Sequence, residues 1–175
     1  MRAALIFLFI LGITSASTGQ KTVNKFIDKI KKHDSALAMT LPGWFIRSGI
    51  NLATKGIEDQ DEKEIIHLGK KIKKLRFVVV DKPHHISLED SAEFLKKVKD
   101  KEGFEEYTRV RDGGTRVYVL VKEDKSKIKY LTIYARGEEN VALLNLKTDL
   151  TFDDLEKANF SWKNKEKIEE ETINY

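Results

Sequence analysis

The side chains of this chain that could do chemistry are few and scattered. Its four histidines are His33, His67, His84 and His85. A zinc or iron site needs histidine and carboxylate groups that converge, as two histidines one helical turn apart can. His84 and His85 are instead neighbours in a loop after Pro83, and in extended backbone they point opposite ways. His67 stands among Lys63, Lys70 and Lys71, whose charges repel a metal ion. The carboxylate pairs Glu105-Glu106 and Asp153-Asp154 are of a kind common on strand surfaces and at helix starts, and nothing in the sequence makes them an acid and a base. There is no cysteine, which excludes a thiol nucleophile, thiolate metal ligands and disulfides. No G-x-S-x-G, phosphate loop or G-x-G-x-x-G occurs, so motif support for hydrolase, nucleotide and dinucleotide chemistry is missing. The expectation is no catalytic residue, no metal and no cofactor.

One cluster has the chemistry of recognition: Tyr107, Arg109, Arg111, Arg116 and Tyr118. Guanidinium groups hold carboxylate or phosphate through paired hydrogen bonds. Flanking tyrosines supply flat contact surface of the kind enriched at interaction hot spots. These five residues are the candidate partner-binding site. Asp112-Gly113-Gly114 permits a tight hairpin centred on Asp112-Gly113 or on Gly113-Gly114, and either places the three arginines on one face. Arg116 then sits opposite Arg109 or Arg111, and like charges directly opposite are unfavourable. The plainer alternative is that long arginines at a hairpin tip spread into water.

The cluster belongs to the stretch Gly103 to Asp149, in which four β-rich runs separated by short polar turns read as an antiparallel meander. Its first face is expected to carry Phe104, Thr108, Val110, Val117, Val119 and Val121. Its second carries Tyr107, the three arginines, Tyr118 and Leu120. With even turns, Leu131, Ile133, Ala142, Leu144 and Leu146 join the second face, and Tyr130, Thr132, Tyr134, Val141 and Leu143 the first. Neither face is polar, so both need cover from helices or from a partner, and a homodimer through one face is among the options.

Around the meander, Val23, Phe26, Ile27 and Ile30 recur at helical spacing in a helix over Thr22 to Lys32. Ser35 to Leu41 reads as a short strand stopped by Pro42-Gly43. Trp44 to Thr54, apolar around most of its circumference, is expected as a helix packed on the sheet, in preference to one lying in a membrane surface. A third helix carries Ile65, Ile66, Leu68, Gly69 and Ile72 on one face. Leu75 to Asp81 is a continuous apolar strand. Ser87 caps a fourth helix, Leu88 to Lys101, with Leu88, Ala92, Leu95 and Val98 inward and Gly103 at its end. Thr151 and Asp154 resemble a capping box for a short last helix docked by Phe152, Leu155 and Trp162. The fold class is α+β: an antiparallel meander sheet packed with about five helices.

The 175 residues suit a single domain, and the composition, 41% hydrophobic and 34% charged, is that of a soluble globular protein. Met1 to Gln20 has a basic start at Arg2, an apolar run from Ala3 to Ile13 and small residues after it, as in a signal peptide. The expected organisation is a leader over 1–16, cut after Ala16, a domain over 22–162 and a charged tail over 163–175. Without Arg2 the chain has 31 basic against 28 acidic residues, close to balance, with no basic stripe for nucleic acid.

The run GFEEYTRVRDGG, followed by VYVLVKEDKSKIKYLTIYA and VALLNLKTDLTFDDL, resembles the exported bacterial family catalogued as domain of unknown function 4252. The resemblance covers roughly Asn24 to Phe160 and is most specific over Gly103 to Leu150. It implies an α+β envelope protein with no assigned catalytic residues. Many members resemble lipoproteins with a cysteine closing the leader. Here Ser15, Ala16 and Ser17 stand instead, which implies no lipid anchor and a free periplasmic or secreted form. The function expected is a non-enzymatic binding or interaction domain with an envelope partner or a second copy, in a stress or signalling role. The alternatives are a small enzyme with an unrecognised site and a carrier of an apolar ligand.

Overall fold

The computed structural model describes residues 20–53, 60–82 and 86–157. The leader with its cut after Ala16, the histidine pair at 84 and 85, Trp162 and the tail over 163–175 lie outside the described residues. The elements run α1 (Lys21–Ile30), β1 (Ala36–Pro42), α2 (Gly43–Ala53), α3 (Gln60–Lys70), β2 (Ile72–Asp81), α4 (Leu88–Glu102), β3 (Glu105–Asp112), β4 (Thr115–Asp124), β5 (Lys127–Arg136) and β6 (Asn140–Leu150). A helical turn over 152–157 follows. The strands form one six-stranded sheet in the order β1-β2-β6-β5-β4-β3, with every neighbouring pair antiparallel. The fold is α+β, with the meander from β3 to β6 completed by β1 and β2.

Helices α1 and α4 cover one face. Val23, Phe26, Ile27 and Ile30 are buried there as their spacing requires, and Phe26 stacks on Phe94 of α4 with ring centroids 4.2 Å apart. Beneath them lie Val78, Val80, Leu120, Tyr134, Val141 and Leu143, all buried. The N-terminus of α1 is held by Glu102, the last residue of α4, whose carboxylate accepts the Thr22 N–H. In α4 the capping box is Ser87 with Asp90, and Gly103 ends the helix at φ +68°. Its inward stripe is Ser91, Phe94, Val98 and Glu102, whereas Leu88 and Ala92 are exposed and Leu95 is only partly buried. The helix is rotated from the expected stripe because the large Phe94 ring, between Phe26 and Tyr134, takes the central position.

On the other face, α3 and the turn over 152–157 cover one end, where Leu68, Phe152 and Leu155 pack on Val121, Leu131, Leu146 and Leu150. Ile72, expected on α3, belongs to β2. Helix α2 departs from its expected burial: Trp44, Phe45 and Leu52 are 64%, 52% and 74% exposed. Gly43 at its start is buried, and Ile46 and Ile50 form a half-buried edge. There Ile50 packs on Gly69 of α3, where a Cβ would lie 2.5 Å from Ile50 Cδ1.

The faces of the meander divide differently from the expected pattern, because β3 and β5 each carry an extra residue. Glu106 pairs with Leu120 and Thr108 with Val119, which leaves Tyr107 bulged. Phe104 therefore joins the α1/α4 core, and Tyr107 turns to the opposite face, 6.2 Å from the Phe152 ring. The β4–β5 turn, Lys125-Ser126, does have an even count, and both residues take positive φ. However, Lys122 pairs with Tyr130 while Glu123 pairs with Ile128, so Lys129 is inserted and the parity flips. Leu131 and Ile133 thus lie with Val119 and Val121, and Tyr134 with Tyr118 and Leu120.

Two cross-strand rows result on the second face, each taking one residue from every strand. One is Met39–Phe77–Leu144–Ile133–Val119–Thr108, and the other is Leu37–Val79–Ala142–Ala135–Val117–Val110. Leu37, Met39 and Val110 are 64%, 46% and 51% exposed, and the other apolar members are half-buried. Val119 and Leu144 touch the edge of the cluster under α3, and the remainder lies beyond it.

The last turn is capped as its sequence suggests. Asp154 accepts from Thr151 N at 2.7 Å, Asp154 N donates to Thr151 Oγ1 at 3.3 Å, and Lys71 Nζ donates to both carboxylate oxygens at 2.7 and 2.8 Å. Burial pushes this carboxyl up, but the bonds from Lys71 and Thr151 outweigh it and hold it below its ordinary value. A depressed carboxyl stabilises the fold above its unfolded-state pKa, near 4, and that contribution fades as pH falls through the lower folded-state value. Thermal melts of Asp154→Asn are therefore expected to show a lower midpoint than the parent at neutral pH and a shallower decline on acidification. Parallel pH profiles for the two proteins would show that Asp154 does not contribute.

Candidate functional site

The candidate site is built at the end of the sheet where β3 turns into β4. The hairpin centres on Gly113-Gly114, whose φ values of +50° and +90° suit glycine, and it pairs Arg111 with Arg116. Arg116 in turn pairs with Arg136 across β4–β5. Three arginines from three adjacent strands therefore stand in one row on the α1/α4 side. Arg111 and Arg116 are exposed and make no ion pair among the described residues. Arg136 is held where the first turn of α4 meets the sheet: its Nη1 donates to Ser91 Oγ at 2.9 Å and to Ser87 O at 3.4 Å. The buried Tyr134 hydroxyl donates to the same Ser91 Oγ at 2.6 Å, and burial pushes that phenol up from its ordinary pKa.

Arg109 sits one row further in and is already engaged. Its Nη2 donates to Glu106 at 2.9 Å, and its guanidinium lies 4.9 Å from the centre of the Tyr118 ring. Glu106 also accepts from Lys99 at 3.1 Å. The bond from Arg109, more than that from Lys99, holds the Glu106 carboxyl below its usual value, and Glu106 in turn raises Arg109. The structure thus brings Arg109, Arg111, Arg116 and Tyr118 together on one face and separates Tyr107 from them. Arg136 was missed from sequence, because an unbulged β4–β5 hairpin puts it on the far face.

A second polar group also escaped the sequence reading. Arg76 and Asn145 face each other across β2–β6 under α1. Arg76 donates to Gln20 Oε1 at 2.6 Å, to Asn145 Oδ1 at 3.1 Å and to Asn24, and Asn145 passes a bond on to Thr132 Oγ1 at 2.8 Å. Burial lowers the Arg76 pKa. The available signal was one polar residue inside each of two apolar strand runs, at positions able to pair. With every member bonded, the group ties α1 to the sheet.

Between α1 and α4 lies an open groove of about 470 Å³ rimmed by Lys21, Lys25, Lys29, Lys97 and Lys101. The Lys29–Asp90 ion pair of 2.6 Å crosses it. Asp90, Glu93 and Glu102 line it as well, together with the Phe26 and Phe94 rings. Among the described residues, no group of three His, Asp or Glu side chains could hold a metal ion. Among them, too, no helix is long and apolar enough to cross a membrane.

Fold and site together define an α+β domain whose six-stranded antiparallel sheet carries two helices on one face and a charged hairpin at one end. A family model described as a domain of unknown function, DUF4252, matches residues 26–158, and the chain belongs to that family. No curated protein and no solved structure matches the chain.

Proposed function

We propose that this protein is an exported bacterial envelope domain that works by binding, and that Arg111, Arg116 and Arg136 receive an anionic group, a carboxylate or a phosphate, from its partner. The observation that carries this reading is the row itself. Three guanidinium groups stand in register on adjacent strands, and none of them has a carboxylate partner among the described residues. Stacking like charges costs roughly a few tenths of a kcal/mol per pair, so the row is poor as a purely structural device. An incoming anion removes that repulsion and can bond in fork geometry. The basic, apolar and then small-residue pattern of Met1 to Gln20 supports export, and Ser15-Ala16-Ser17 supports release without a lipid anchor. A role in envelope stress or signalling is the context that this reading suggests.

The test is Arg111→Ala/Arg116→Ala. Its melting temperature is expected to equal or exceed the parent's. Titration with inorganic phosphate or acetate is expected to shift the arginine Nε–Hε NMR signals of the parent, and to leave the remaining Arg136 signal unmoved in the variant. A variant that is destabilised and still responds to the anion would make the arginines structural and sink the proposal.

A further inference from the structure

The two apolar rows on the second face call for an occupant, and we infer that it is a second copy of this chain, packed sheet against sheet. This goes beyond the anion site, which lies on the opposite face. The rows contain eleven apolar side chains and one threonine, with no charge between the β1 edge and the β3 edge. The charged side chains of the six strands point to the other face or lie toward the strand ends. A face without charge suits itself under a twofold axis, since no rotation can bring like charges together. It offers nothing to select an acidic or basic partner. The opposite face, with its arginine row, has the reverse property.

Area sets the class of interface. Six strands and two rows make a patch about 29 Å by about 14 Å, on the order of 400 Å² in plan. That matches the largest apolar patches usual on a monomer, roughly 300–600 Å², which are often functional. Two such patches face to face stay below about 1,200 Å² in total, the low end for specific interfaces, so the dimer is a weak, reversible one. Packed sheets sit about 10 Å apart. The paired Ala135 and Ala142 at the middle of the sheet leave the central strands room to approach.

The experiment is sedimentation equilibrium on the exported protein, over about 1 to 100 μM. The parent is expected to pass from one chain to two across this range. Leu37→Lys/Val110→Lys places a charge at each exposed edge of the rows and is expected to stay at one chain with an unchanged circular dichroism spectrum. Arg111→Ala/Arg116→Ala is expected to dimerise like the parent. If the double lysine variant does not fold, Thr108→Lys, at an exposed polar position in the same rows, gives the same readout. A parent that stays at one chain throughout, or a lysine variant that still dimerises, overturns the inference. In the first case, bis-ANS fluorescence with the parent but not with the lysine variant would show that another apolar ligand uses the face.

Discussion

Leu120→Asp is expected to leave the protein unfolded in water at 25 °C, whereas Val117→Asp on the same strand leaves it folded. Leu120 is fully buried in the α1/α4 core, in the same cluster as Val98 and Tyr134. Loss of its packing costs about 2–5 kcal/mol, and the unpaired carboxylate adds several more. Together these consume most of the roughly 5–15 kcal/mol that holds a domain folded. Val117 is half-buried in the outer row of the opposite face, next to Val110, which is 51% exposed. An aspartate there keeps access to water and costs on the order of 1 kcal/mol through poorer strand propensity. Circular dichroism melts of the two variants decide the point. Equal damage would mean that the face carrying Val117 is sealed as well.

Gly43→Ala is expected to lower the melting temperature by about 5–10 °C, from a cost of about 2–3 kcal/mol. Gly43 begins α2 directly after Pro42 ends β1, and its backbone passes against the start of β2. A Cβ there would lie 2.7 Å from both the Ile72 and Lys73 carbonyl oxygens and 2.9 Å from the Lys73 carbonyl carbon. All three are backbone atoms of a paired strand, so no side chain can swing away to make room. The control is Gly49→Ala in the same helix, where nothing lies within 4 Å of the added carbon. That change is expected to be stabilising by up to about 1 kcal/mol through helix propensity. An unaltered melting point for Gly43→Ala would show that the strand and helix do not approach as described.

The elements were legible in the sequence because each has a local signal. The 3.6-residue spacing of Val23, Phe26, Ile27 and Ile30, the cap at Ser87 and the paired glycines at 113 and 114 are each decided within a few residues. The assignment of faces was not legible, because it depends on two single-residue insertions. Tyr107 and Lys129 look like ordinary strand residues, and only pairing with the neighbouring strand shows them to be supernumerary. One insertion moved Tyr107 out of the candidate site, and the other moved Arg136 into it. The exposure of α2 was illegible for another reason. An apolar helix is expected inside when its own chain is the only available cover, and Trp44, Phe45 and Leu52 find none among the described residues.

The strand order also has a consequence in time. Strands β3, β4, β5 and β6 are joined by hairpins and can pair as each emerges from synthesis, at little cost in loop closure. Strand β2 is made before all of them, yet its inner edge belongs to β6: Val78 waits for Leu143, and Phe77 for Leu144. Until residues 140–150 leave the ribosome, the β1–β2 pair presents an open, valine-rich edge, the kind of template on which strands of other molecules add. The last strand of the meander is thus the one that retires this hazard, and a chain truncated before Asn140 keeps it permanently.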